Sequence, residues 1–288
     1  MKLITFGDSW VWGDELEPKK TPTSDGIIYD HNYNTYRHEN NIGGVVNKNH
    51  TFTDYINYAT NGGSNQHIIY DLMNYINSDD YDVDDLILVG LTSPMRSITY
   101  NNISKTPLTW PGWDYESFIQ YCDSSLRNSK EFESWWKSNV KCNLNNRNDI
   151  LNYTQSCLSI KSLLSNHNKY LVWQSIDGNF WKTEEGFHEV YLEKYTTKSN
   201  ESNLEIKDTE NFILKKENLK KELNRGTSES QVWINLIHQD WKSWLEDNYK
   251  HDDVFVWSSN HPNKKGILNW YEMVLSERIK KIIDKKLV

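Results

Sequence analysis

Four consecutive apolar residues closed by a glycine, Leu86-Ile87-Leu88-Val89-Gly90, constrain the fold of this chain more than any other stretch. A half-exposed strand alternates apolar and polar side chains, so an unbroken run marks a strand buried on both faces. Such strands belong to parallel sheets with helices on either side. Tyr170-Leu171-Val172-Trp173 repeats the pattern, and Leu3-Ile4-Thr5-Phe6 opens the chain with it. Between these runs lie segments of helical spacing. Ile68, Ile69, Leu72, Met73 and Ile76 mark one face of a helix over 66–76, another helix is expected over 150–165, and Ile267, Leu268, Tyr271, Val274, Leu275, Ile279 and Ile282 mark a terminal helix. The alternation predicts an α/β protein, a three-layer α/β/α sandwich around a central parallel sheet.

The remaining segments are placed around that frame. A second strand is expected over 55–59 and a final one over Val254-Phe255-Val256-Trp257. Residues 14–50 show little periodicity and read as a long loop at the sheet edge. Ser228-Glu229-Ser230-Gln231 has the spacing of a capping box, which predicts a helix carrying Val232, Leu236, Ile237, Trp241, Trp244 and Leu245. Two insertions complete the reading of 1–288 as one domain. The first, about 97–148, holds Trp110, Trp113, Trp135 and Trp136 and reads as helical; the second, about 181–225, is rich in Lys, Glu, Asn and Thr and reads as a solvated excursion.

Composition narrows the function classes. A formal charge of -8 argues against nucleic acid as the main partner, because that affinity rests on clustered Lys and Arg. Mean hydropathy is low at -0.79, but 13 Trp and 17 Tyr supply apolar area for a core. Cys122, Cys142 and Cys157 are odd in number and lack metal-site spacing, so reduced thiols are expected, and His251-Asp252-Asp253 lacks convergent partners for a metal. No phosphate-binding loop or dinucleotide fingerprint is present, and no cofactor is expected. Neither a membrane span nor a signal-peptide core is visible, which points to cytoplasmic synthesis and leaves association with a virus particle open.

The first strand ends in Gly7-Asp8-Ser9-Trp10, followed by Gly13. This places a serine hydroxyl at the C-terminal edge of a parallel sheet, where open α/β folds collect their sites. A serine nucleophile needs a base, and His261 in His261-Pro262-Asn263, after the last expected strand, can reach the same edge.

These residues resemble the blocks of the SGNH, or GDSL-like, hydrolase superfamily, whose flavodoxin-like α/β/α fold agrees with the strand pattern. The resemblance implies that Ser9 is the nucleophile, supported by Gly7 and Asp8, and that His261 is the base. It implies an oxyanion hole built from the N–H groups of Ser9 and Gly62, with Asn65 supporting the turn Asn61-Gly62-Gly63-Ser64-Asn65. In the third block the family has Gly-x-Asn-Asp where this chain has Gly90-Leu91-Thr92-Ser93, which makes Thr92 the second oxyanion donor. The acid expected three residues before the histidine is absent, since Ser258 and then Ser259 stand there. A Ser-His dyad remains, its imidazole oriented by a backbone carbonyl or by Asp252 or Asp253. The implied activity is a metal-free esterase acting on an acyl ester, such as an acetylated carbohydrate. The alternative is a degenerate SGNH-fold structural or binding protein with protein partners in a virion or surface assembly, since the chain is also similar to SGNH-like proteins carried by tailed bacteriophages.

Overall fold

A computed structural model describes residues 1–17, 20–23, 26–29, 32–93, 96–101, 106–110, 129–134, 146–176, 216–234, 240–256 and 261–285. The chain opens with β1 (Leu3–Gly7), which runs directly into the one-turn helix α1 (Ser9–Trp12). A hairpin of β2 (Lys20–Thr23) and β3 (Gly26–Tyr29) follows, then α2 (Tyr33–Asn40), α3 (Ile42–Asn49), β4 (Tyr55–Asn57) and α4 (Asn65–Ile76). Next come β5 (Leu86–Leu91), a second hairpin of β6 (Ser97–Asn101) and β7 (Thr106–Trp110), the helix Asn146–Leu163, β8 (Lys169–Gln174), the helix Lys216–Asn224 and β9 (Gln231–Trp233). The helices Trp241–Asn248, His251–Val254 and Lys264–Trp270, a π-helical turn Tyr271–Leu275, and the helix Ser276–Asp284 complete it.

The five-stranded sheet has the order β4-β1-β5-β8-β9 with every pairing parallel, as the apolar runs require. Because successive side chains point to opposite faces, each run feeds two cores. Leu3, Leu86, Leu88 and Leu171 pack with Ile42, Val46, Trp241, Ile267 and Ile279 on one face. Ile4, Ile87, Val89 and Val172 pack with Ile68, Leu72, Tyr153, Ile160 and Leu219 on the other. The result is the expected α/β/α sandwich. The strand order places the crossover switch between β1 and β5, at whose C-terminal edge ligands bind in doubly wound sheets.

Several local expectations are corrected. Residues 14–50 contain the β2–β3 hairpin and two helices, each capped by an asparagine: Asn32 accepts from the N–H groups of Asn34 and Thr35, and Asn41 from that of Gly44. The strand at 55–59 stops at Asn57, whose carboxamide accepts from Ala59 N–H. On α4, Met73 is exposed and Tyr75 is buried in its stead. The first insertion begins as the antiparallel β6–β7 hairpin instead of a helix, while Trp113, Trp135 and Trp136 lie outside the described residues. The end of the second insertion is a helix with Leu219 and Leu223 buried, not a solvated excursion.

The two largest corrections concern the fifth strand. Gln231–Trp233, read as the start of a helix, pairs with Tyr170–Val172 as β9. The following helix starts only at Trp241, where Asp240 accepts from Ser243 N–H. The expected strand over 254–257 is not in the sheet at its described residues: Val254 ends a helical turn, and Phe255 makes an isolated bridge to Pro262, while Trp257 lies outside the described residues.

Candidate active site

Ser9 reaches the sheet edge because β1 ends at Gly7 and α1 begins two residues later. Asp8 caps α1, its buried carboxylate accepting from Trp10 N–H at 3.1 Å. The helix closes after one turn at Gly13, whose φ of 83° directs the chain sharply away. Ser9 is only 2% exposed, and its Oγ lies 2.9 Å from Nε2 of His261.

His261 is fixed from its own side of the chain. Val256 N–H donates to its carbonyl, Pro262 bridges Phe255, and Asn263 N–H donates to the carbonyl of Val254. The Asn263 carboxamide donates to the carbonyls of Asp253 and Phe255 and accepts from Gly266 N–H, capping the next helix. Trp10 packs against Phe255, with ring centroids 6.1 Å apart, and its ring lies 6.4 Å from the imidazole. Loop and nucleophile turn thus share one aromatic wall.

Two carboxylates absent from the sequence reading of the site face this imidazole. Asp14 Oδ2 is 3.9 Å from Nε2, and Glu15 Oε2 is 3.6 Å from Nδ1. Burial pushes the Glu15 carboxyl above its ordinary range, and the neighbouring imidazole partly offsets that rise. Asp252 and Asp253, offered as orienting groups, sit in the helical turn His251–Val254 and are exposed. Ser258 and Ser259 lie outside the described residues. The sequence signal for the missed acids was their position directly after Gly13, within one turn of the nucleophile block.

Thr92 is placed differently from the expectation of an oxyanion donor. Its hydroxyl donates to Asp8 Oδ2 at 2.6 Å, its N–H donates to Asn65 Oδ1 at 2.9 Å, and the residue is fully buried. A hydroxyl has one proton, and here Asp8 takes it. Asn65 completes the pair by donating to the Thr92 carbonyl, which also receives Gln174 Nε2. Arg96, a second residue the sequence reading missed, places Nη1 3.4 Å from Asp8 Oδ2 and 3.2 Å from the Gly63 carbonyl. Burial drives the Asp8 carboxyl pKa upward, opposed by Arg96, Thr92 and Trp10 N–H in that order. Asp8, Thr92, Asn65 and Arg96 therefore form a polar base under the Ser9 turn.

Gly62 lies on the adjoining loop. Thr60 N–H donates to the Gly7 carbonyl, and a methyl group at Gly63 would stand 3.7 Å from Asp8 Cα, so this turn rests against the nucleophile turn. Gly62 has a φ of 71°, and among the described residues its N–H has no hydrogen-bond partner. The same holds for the N–H of Ser9 at the start of α1. Two free backbone donors on adjacent turns are the raw material of an anion-stabilising site. Among the described residues no cluster of three His, Cys, Asp or Glu side chains could hold a metal ion.

No protein-family model matches the chain, and no curated protein does. Among solved structures it is similar to a member of the lipolytic G-D-S-L family from Veillonella parvula, at 13% identity and a TM-score of 0.42, over 99% of this chain and 100% of that one. It is also similar to a lipase from a goat rumen metagenome, at 11% identity and a TM-score of 0.38, over 98% of this chain and 97% of the other. Both are likenesses at low identity; the chemistry of this chain rests on its own residues.

Proposed function

We propose that the chain is a serine ester hydrolase of the SGNH type. The observation that carries this reading is the 2.9 Å contact between Ser9 Oγ and His261 Nε2, made across 252 residues of sequence at the C-terminal edge of the sheet. Nε2 takes the hydroxyl proton as Oγ attacks the acyl carbon, and returns it to the leaving alkoxide when the tetrahedral intermediate collapses. A water then attacks the acyl-Ser9 ester with the same imidazole as base, releasing the acid and restoring the hydroxyl. The N–H groups of Ser9 and Gly62 are the donors offered to the oxyanion, and Thr92 supports the turn through Asp8. The substrate class is an acyl ester, with acetylated carbohydrates as the first candidates.

The test is hydrolysis of p-nitrophenyl acetate and of acetylated glycans by the full chain, alongside reaction of Ser9 with a fluorophosphonate. Ser9→Ala should lower kcat by on the order of 10³-fold or more and abolish labelling. Equal turnover in wild type and Ser9→Ala would remove this mechanism. Absence of both turnover and labelling in the wild type would leave the structural or binding role.

A further inference from the structure

The sheet-edge geometry supplies a nucleophile and a base, but the position three residues before His261 holds Ser258, which has no charge to orient an imidazole. We propose that Glu15 is the positioning acid of this site, its carboxylate holding the Nδ1–H tautomer of His261 so that Nε2 faces Ser9. The inference rests on the hydrolase reading above and assigns to it a residue from the opposite end of the chain.

Three observations carry it. First, Glu15 Oε2 faces the nitrogen of His261 that Ser9 does not use, at 3.6 Å, and a contraction of roughly 0.8 Å makes a normal hydrogen bond. Contacts of this kind commonly tighten when substrate binds. Asp14 cannot take this part, because it approaches Nε2, the nitrogen already on Ser9. Second, Glu15 Oε2 is buried without a hydrogen bond of its own, a state that favours a partner carrying or acquiring positive charge.

Third, the backbone is held in a costly conformation to place this side chain. Glu15 has a φ of 60° and is the only non-glycine residue with positive φ among the described residues. That conformation is sterically unfavourable for an L-residue and free of penalty for glycine. Its neighbours enforce it: Gly13 and Asp14 N–H groups both donate to the Ser9 carbonyl, Leu16 N–H returns to the Gly13 carbonyl, and the Leu16 side chain is locked in the core. The turn that ends α1 thus carries the carboxylate back over the helix it has just left.

In the reaction, Ser9 gives its proton to Nε2 and the ring becomes an imidazolium. Glu15 accepts the Nδ1–H hydrogen bond throughout and takes no proton itself, so its anion compensates the transient positive charge. The carboxylates whose charge acts on His261 among the described residues are Asp8, Asp14 and Glu15, and Glu17 acts in turn on Glu15.

The experiment compares the full-length wild type with Ser9→Ala, Glu15→Gln, Glu15→Asp and Asp14→Asn. Two readouts are used: kcat and KM for p-nitrophenyl acetate from pH 5 to 9, and the tautomer of the His261 ring from its nitrogen chemical shifts by NMR. Glu15→Gln should lose about 10²- to 10⁴-fold in kcat with KM nearly unchanged, since a wrong tautomer removes the base without removing the substrate site. Glu15→Asp should recover part of that loss, and Asp14→Asn should lose far less than Glu15→Gln. In the NMR spectra, Glu15→Gln should shift the His261 ring away from the Nδ1–H tautomer, because the anion that accepts from Nδ1 is gone. A Glu15→Gln enzyme within threefold of wild type, or no more impaired than Asp14→Asn, overturns the assignment while leaving Ser9 and His261 in place. If the wild type shows no turnover, the hydrolase reading fails separately, and an unchanged His261 tautomer in Glu15→Gln overturns the assignment without any substrate.

Discussion

Replacing Thr92 with valine separates two roles that the sequence alone could not distinguish. Valine keeps the shape of the side chain and removes only the hydroxyl, whose proton goes to Asp8 Oδ2 at 2.6 Å with both residues 0% exposed. A buried hydrogen bond to a charged group is worth about 1.5–3 kcal/mol, and Asp8 Oδ2 would keep only Arg96 Nη1 at 3.4 Å. A loss near 2 kcal/mol, divided by a urea m-value of about 3 kcal/mol/M for a chain of this size, moves the unfolding midpoint down by roughly 0.7 M. The sign of the pH dependence follows from Asp8. Burial first of all raises its folded pKa above the ordinary carboxylate range, so the native state binds the proton more readily than the unfolded chain. Stability from this group is therefore greatest at low pH and is lost as pH rises through the folded pKa. Removing the Thr92 hydroxyl raises that pKa further, so the Thr92→Val deficit should be largest near neutral pH and shrink as Asp8 becomes protonated. The assay is urea denaturation followed by tryptophan fluorescence at several pH values, with kcat measured on the same preparations. Native-like kcat with a lowered midpoint is expected. An unchanged midpoint with kcat down by 10²-fold or more would restore Thr92 as an oxyanion donor and refute this account.

Gly62→Ala should reduce kcat by tenfold or more, because φ of 71° costs an alanine roughly 1–2 kcal/mol and relaxing it would re-aim the N–H; no atom lies within 4 Å of the added methyl, so a steric clash is not the cause, and kcat with KM for p-nitrophenyl acetate checks it. Cys157 is fully buried and its thiol is pushed up to about 12 by desolvation, so at pH 8 iodoacetamide should modify it only after unfolding, as read by peptide mass spectrometry.

The parts of the fold visible in the sequence are those where one physical requirement dominates. β1, β5 and β8 are buried on both faces, and only continuous apolar runs satisfy that demand. The errors fall where local and tertiary signals compete. Gln231 makes the side-chain bond that a capping box would make, its Oε1 accepting from Ser228 N–H at 2.8 Å, yet the chain goes on as a strand because β8 offers a free edge. Phe255 belongs to an apolar run of strand-like composition, but its ring is used to wall the site against Trp10. The helix α2 has a polar sequence and α3 contains Gly43 and Gly44, and the starts of both are set by asparagine caps. At the site, Ser9 and His261 are legible because short motifs fix their backbone. Glu15 is not, since its approach to His261 depends on a left-handed residue in a turn, and Arg96 is not, since its partners Asp8 and Gly63 are remote in sequence.

The contact between Ser9 and His261 also sets a clock. In synthesis, the proposed nucleophile Ser9 precedes its proposed base His261 by 252 residues. At typical synthesis rates of about 5–20 residues per second, the nucleophile waits roughly 13–50 s for its partner. Until then the ring proposed to deprotonate it has not been made, and a chain interrupted anywhere before His261 lacks the Ser9–His261 pair. Under the proposed mechanism, ester turnover therefore reports how many molecules have brought Ser9 and His261 together.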